Sequence, residues 1–325
     1  FMRPGKIKID SADDYFKRLK AARVIVDLDD RRKAVEGEIN KAAQKVGGRI
    51  LPDAELVDIV NNLVEYPVAA AGEFDKEFLD LPDEVLITAM REHQKYFAVV
   101  NKSPKLLPYF VAVNNTVAKD MQLVTTGHER VLRARLSDAQ FFYQGDLEVS
   151  NDARVEKLKG VLFQAKLGTM YDKMKRVARI GKFMVKALDI EPAGEQQGNA
   201  LKAQVKRAAQ LCKADLVSQV VGEFPKLQGV MGRVYATIAG ELPSVAVAIE
   251  EHYRPTYSGG PLPGTITGGI LSIADKIDTI CGCFSVGLIP TGASDPYALR
   301  RQGIGIMQIM NDQGFSFSLK KLIKK

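Results

Sequence analysis

Cysteine is scarce in this chain: Cys212, Cys281 and Cys283 are the only three in 325 residues. None forms a CxxC pair, and positions 281 and 283 fall on different faces of a helix. A disulfide framework is thereby excluded, and a reducing, cytoplasmic setting is expected. No apolar run approaches the ~20 residues of a membrane-spanning helix, so no membrane partner is expected. The start has no basic-then-apolar signal order. Gly-rich phosphate loops of Walker or Rossmann type are missing, as are internal repeats and low-complexity segments. Histidine is also rare, with three residues. His93 and His128 have no cysteine or paired carboxylate at ligand spacing, so they read as surface or hydrogen-bonding residues, and no metal site is expected.

What is present is an ordinary globular composition, 46% hydrophobic, long enough for two domains. Residues 1–117 read as a small α+β module. Helices are expected at 11–20, 29–46, 53–64 and 82–92, with a hairpin of strands at 96–101 and 108–114. Residues 118–325 read as a helical domain, so the fold class is mainly α. Its helices are expected at 127–147, 169–188, 199–213, 214–223, 225–239, 242–252, 267–284, 296–311 and 317–325. The chain begins at Phe1 and stops inside the amphipathic pattern Leu319–Lys325, so a fragment of a longer protein is expected.

Charge is uneven. The net charge is +7, yet residues 154–186 hold ten basic and two acidic side chains. In that window Met170, Met174, Val177, Gly181, Met184 and Leu188 form one helical stripe. Lys175, Arg179, Lys182 and Lys186 form another, about 140° away around the helix. A basic block of this kind on a folded helix fits a polyanion. The segment Gly127–Leu147 mixes an apolar face (Leu132, Leu136, Ala139) with Arg130, Arg133 and Arg135. These arginines are either phosphate contacts or local ion pairs, Glu129 with Arg133 and Arg135 with Asp138. Arg300 and Arg301 follow the rigid turn Pro290–Pro296, where Asp295 is placed to cap a helix beginning at Pro296. They would contact RNA or pair with Asp275 and Asp278.

The second half resembles the HD phosphohydrolase superfamily, an all-helical fold that holds metal through His and Asp. The resemblance rests on Lys173-Met-Lys-Arg-Val177, Leu211-Cys-Lys-Ala-Asp215, Ala248–Tyr253 with Gly259–Pro263, and Ile273–Asp278. Asp215, His252 and Asp275 match ligand positions. The other two have become Lys173 and Ala214. An ammonium group is a donor only and cannot ligate a cation. Lys173 is therefore expected to pair with Asp215 or Asp275, which leaves His252 a structural role and makes hydrolysis the minor alternative.

Over its whole length the chain resembles the β subunit of bacterial heterotetrameric glycyl-tRNA synthetase. The strings that carry the resemblance are Leu81–Ile87 with Glu92–Phe97, Glu129–Phe142, Phe163–Gly168, Glu223–Gly232, Glu251–Pro255, and Ala274–Asp278 through Arg301. The resemblance implies an α₂β₂ enzyme in which the α subunit binds ATP and Mg²⁺ and activates glycine. The β subunit would serve tRNA-Gly binding and assembly through an HD-like domain without its metal set. This chain would lack an N-terminal region and the anticodon-binding domain. Its expected role is the non-catalytic tRNA-binding and assembly part, with no cofactor of its own; the alternative is a residual metal-dependent phosphohydrolase.

Overall fold

The computed structural model describes residues 5–188, 195–292 and 294–324, the side chains of 195–198 excepted. Two compact units divide between Tyr143 and Gln144, rather than near residue 117.

In the first unit a four-stranded antiparallel sheet has the order β1-β3-β4-β2. Its strands are β1 (Arg49–Ile50), β2 (Val68–Glu73), β3 (Phe97–Val100) and β4 (Leu106–Asn114). The expected hairpin is β3–β4. Its connector is set by Asn101, whose side-chain oxygen accepts from Ser103 N at 2.9 Å and Lys105 N at 3.1 Å. β2 was not legible: Val-Ala-Ala-Ala-Gly-Glu lacks β-branched alternation. It is a strand because it pairs along β4, from Val68 opposite Asn114 to Glu73 opposite Tyr109.

Helices α1 (Tyr15–Ala21), α2 (Leu28–Lys45), α3 (Ala54–Leu63) and α4 (Asp83–Gln94) accompany the sheet. Val35, Ile39 and Ala43 of α2, with Leu56, Val57 and Val60 of α3, pack on Phe97, Val99 and Val111. Asp27 and Asp53 cap α2 and α3 through Asp30 N and Leu56 N. The long α5 (Met121–Leu147) moves the division past residue 117. Leu132, Leu136 and Ala139 are buried as their spacing predicts. His128 bridges Tyr96 Oη (2.8 Å) and Asn114 Oδ1 (2.9 Å), and Glu129 accepts from Glu73 N. These contacts bind most of α5 to the sheet.

The second unit is helical apart from a short hairpin, β5 (Leu162–Gln164) with β6 (Gly168–Thr169). Its helices are α6 (Asn151–Lys157), α7 (Met170–Ala187), α8 (Glu195–Leu211), α9 (Gln219–Glu223), α10 (Val230–Ile238), α11 (Pro243–Glu251), α12 (Ile266–Ser285), α13 (Leu299–Asp312) and α14 (Leu319–Ile323). α12 is buried along most of its length, and its Ile270, Ile273, Ala274 and Ile277 centre the core. Of the α7 stripe, Met174, Val177, Gly181 and Met184 are buried and the ends Met170 and Leu188 half-buried, and Thr169 with Asp172 closes a capping box at its start.

Several helix boundaries depart from the pattern: α5 starts six residues before the expected 127 and α8 four before the expected 199. The expected helix 214–223 breaks at Ser218, whose extended backbone caps α9 through Val221 N. The expected 225–239 starts only at Val230, because Gly229 takes φ +85°. The expected 296–311 starts at Leu299. Asp295 does cap it, accepting from Leu299 N at 2.8 Å and Arg300 N at 3.0 Å, while Pro296 stays outside. Ala293 in that turn, and Lys325 at the end of the last expected helix, lie outside the described residues. Among the described residues no helix is long and apolar enough to cross a membrane.

Gly181 packs against Val205 of α8. A Cβ there would meet Val205 Cγ1 at 2.8 Å, and a β-branched neighbour in a packed core has little room to yield. Gly181→Val is expected to lower unfolding free energy by about 1–3 kcal/mol, read as a shifted denaturant midpoint with an unchanged slope.

Candidate functional site: a buried lysine cluster and a basic face

The positions that match HD ligands do converge on the second unit's core, but they meet ammonium groups. α7 supplies Lys173, the turn after α8 supplies Lys213 and Asp215, the end of α11 supplies His252, and α12 supplies Asp275 and Asp278. Lys173 Nζ lies 3.1 Å from Asp275 Oδ1 and 3.2 Å from Asp278 Oδ2, and donates to Thr279 Oγ1 at 2.7 Å. Arg176 closes on Asp278 from the other side, Nε to Oδ1 at 2.6 Å. The expectation for Lys173 thus resolves to Asp275, with Asp278 added.

Asp215 is not part of this ion cluster. Its Oδ2 accepts from Gly229 N at 2.5 Å and Gly232 N at 3.1 Å, so it closes the start of α10. Its Oδ1 is buried with no hydrogen-bond partner among the described residues. Burial pushes the Asp215 carboxyl up to about 6, against the pull of the two glycine N–H groups. Ala214 beside it is buried and brings no polar atom.

Lys213, which the sequence reading passed over, fills the centre. Its Nζ lies 2.8 Å from His252 Nε2 and 3.2 Å from Asp275 Oδ2, and 4.1 Å over the Tyr253 ring. His252 Nδ1 is 2.5 Å from Ile249 O. Nδ1 therefore carries the proton, and Nε2 offers its lone pair to the Lys213 ammonium. A third lysine, Lys276, donates to Ser272 Oγ at 2.7 Å and Arg254 O at 2.8 Å; burial holds it down to about 8. Burial alone would raise Asp275, but Lys173 and Lys213 outweigh it and hold the carboxyl well below the usual range. The signal for Lys213 was its place: a lysine next to the Ala214 that stands where the resembled family has histidine.

These residues do not fit a metal ion. One imidazole lone pair and one carboxylate face each other, and an ammonium group already accepts no ligand role between them. Among the described residues no group of three or more His, Cys, Asp or Glu could hold a cation. The phosphohydrolase alternative loses its chemical basis, because no Lewis acid could be held to activate water.

The basic face is on the opposite side of α7. Lys175, Arg179, Lys182 and Lys186 are exposed, and among the described residues none has a carboxylate partner. Other cations of the same window turn inward. Arg154 is 2% exposed, stacks 4.2 Å over Tyr235 and donates to Asn151 Oδ1 at 2.8 Å. Lys173 and Arg176 serve Asp275 and Asp278. The charge count therefore overstated the polyanion footprint.

Of the remaining candidates, Arg130 is exposed. Arg133 pairs with Asp75 at 2.8 Å rather than with Glu129, because Glu129 faces the β2 edge. Arg300 donates to Thr291 O, and Arg301 is exposed. Neither pairs with Asp275 or Asp278, which are already occupied by the lysines and Arg176.

Two outcomes follow from the cluster. Asp275→Asn leaves Lys213 buried without a counter-charge and is expected to lower stability by about 3–5 kcal/mol, measured by denaturant unfolding. Burial, helped by Lys213, keeps the His252 pKa well below its ordinary 6.5. The unfolded chain takes up a proton there and the folded site does not. Its contribution is full above pH 6.5 and is lost by about 1.4 kcal/mol per pH unit below it. Stability measured from pH 7 to pH 5 should fall more steeply in the wild type than in His252→Gln.

Comparison with known proteins gives the family. A family model described as glycyl-tRNA synthetase beta subunit matches residues 1–325. The chain is 58% identical over 325 residues to a protein of Desulforapulum autotrophicum named glycine–tRNA ligase beta subunit, covering 100% of this chain and 46% of that protein. Proteins of the same name from Desulfatibacillum aliphaticivorans and Geobacter sulfurreducens are 54% and 51% identical, with the same coverage. The chain thus spans about half the length of these relatives, 46%. Matched from end to end by the family model and by close relatives, the chain belongs to the glycyl-tRNA synthetase β subunit family.

Proposed function

We propose that this chain is the tRNA-binding and assembly part of a glycine–tRNA ligase and does none of the bond chemistry. The reaction joins glycine to tRNA-Gly with ATP converted to AMP and diphosphate. ATP and Mg²⁺ act on a separate α subunit, in an α₂β₂ cytoplasmic enzyme. Family membership supports the reaction class. The chain's own residues support its share in it: the buried polar cluster offers no metal site, and the exposed cations lie on a helix face.

The observation that carries the reading is the row Lys175, Arg179, Lys182 and Lys186 along α7, exposed and without a carboxylate partner among the described residues. Consecutive members are three or four residues apart, so they stand one above another at about 5–6 Å, close to the spacing of phosphates along one strand. Long cations without carboxylate partners keep their full charge for phosphate and release counterions on binding. They position a backbone without reading bases. Arg130, Arg133, Arg300 and Arg301 are further candidates for the same polyanion, Arg133 the weakest because Asp75 already holds it.

The second unit is in this reading an HD-like bundle whose metal has been replaced by lysine. The matching positions Lys173, Asp215, His252 and Asp275 sit in one core, and Lys213 stands between the remaining imidazole and carboxylate. Such a replacement keeps the bundle folded while removing the hydrolase's Lewis acid.

Charge reversal tests the face. With the complete β subunit assembled with its α subunit, Arg179→Glu/Lys182→Glu should weaken binding of a tRNA-Gly transcript and lower the slope of log K against log salt by about 2. Filter binding at four salt concentrations measures both. Superimposable isotherms would remove the α7 face from the tRNA contact.

A further inference from the structure

The α7 face ends in a cleft. It has a volume of about 470 Å³ and lies among α6, α7 and α8. Val155, Met174 and Ala178 form an apolar floor; Tyr171, Lys175 and Lys206 stand at the rim, with Gln210 on the α8 wall. Lys175 is also the first residue of the exposed cation row, so cleft and row are continuous.

The charges at the rim are unequal in their freedom. Asp152 and Glu156 also line the cleft, but both are engaged. Arg207 donates to Asp152 Oδ1 at 2.8 Å, and Lys159 pairs with Glu156. Arg207 is itself shared with Glu241 at 2.6 Å. Lys175 and Lys206 have no carboxylate partner among the described residues, and both are exposed. Two ammonium groups lie near the Tyr171 ring, Lys159 Nζ at 4.9 Å and Lys175 Nζ at 4.2 Å from its centroid.

We propose that this cleft receives one unpaired nucleotide of the bound RNA, its base stacked on Tyr171 and its flanking phosphates on Lys175 and Lys206. This deepens the tRNA-binding reading and rests on it. An aromatic ring beside an apolar floor suits the face of any base, and cations at the rim suit its backbone. The exchange is favourable in direction. Lys175 gives up an exposed cation–π contact, among the weaker of its kind, and gains a phosphate charge. The ring gains a base, a contact of larger area. Gln210 offers a side-chain amide as donor and acceptor at the level of the base edge. The volume has room for a nucleotide but none for a duplex, so the nucleotide must be unpaired.

An acidic side chain from the partner subunit is the competing occupant. It would use the lysines but gain nothing from an aromatic ring over an apolar floor.

The test uses the assembled α and β subunits with a tRNA-Gly transcript at four salt concentrations. Tyr171→Leu should weaken binding roughly 5- to 100-fold with little change in salt slope. Tyr171→Phe should stay within about twofold of wild type, since the ring is kept. Lys206→Gln should weaken binding and lower the slope by about 1. Thermal unfolding and size-exclusion of each variant report folding and assembly. Wild-type affinity in Tyr171→Leu overturns the cleft while loss in Arg179→Glu/Lys182→Glu keeps the α7 face; no loss in either overturns both. Release of the α subunit by Tyr171→Leu also overturns it, by making the cleft a protein contact. An unchanged slope in Lys206→Gln overturns the phosphate assignment even where the tyrosine variant unfolds.

Discussion

Two ammonium groups, Lys173 and Lys213, converge on the Asp275 carboxylate in the interior of the second unit, and the packing around them depends on that convergence. A lone buried carboxylate would be costly, and two lone buried lysines more so. Together their charges offset one another, with Asp278, Thr279 and His252 taking further donors of the lysines. The partners come from four elements: α7, the turn after α8, the end of α11, and α12. The cluster therefore fixes how four segments meet. It also fixes a tautomer, since the imidazole can accept from Lys213 only while its other nitrogen holds the proton.

The same residues explain why this interior does not fit a metal ion. A cation site needs lone pairs pointing inward to a shared vacancy. Here the inward position is held by a donor carrying the positive charge a metal would bring. Asp215, which could have added a carboxylate, is turned to the backbone N–H groups of Gly229 and Gly232 and closes a helix start instead. The charges of the pocket balance one another, and its donor set leaves no place for a Lewis acid.

Cations of the Arg154–Lys186 window divide by side of helix. Those on the inner side, Lys173 and Arg176, neutralise α12. Those on the outer side, Lys175, Arg179, Lys182 and Lys186, meet solvent. One 18-residue helix thus serves the core with one set of positive charges and presents another to solvent. The cleft beside Tyr171 lies where the outer row reaches α6 and α8.

Much of this was legible in residues alone. Periodicity gave the α7 stripe, the α5 apolar face, the β3–β4 hairpin and the capping by Asp295, because these depend on contacts between neighbours in sequence. The convergence of positions 173, 252 and 275 followed from a family pattern, and the family itself from long strings in order. What stayed hidden depended on partners distant in the chain. β2 exists because β4 offers it a ladder. The break at Ser218 and the late start of α10 follow from Asp146 and Asp215, which accept from backbone N–H groups there. Lys213 reads in sequence as one more surface lysine. Only the fold carries its ammonium to His252 and Asp275, 39 and 62 residues away. Local sequence determines which elements form and which face of each is apolar; tertiary structure decides which charges are buried, because burial is set by what arrives from elsewhere in the chain.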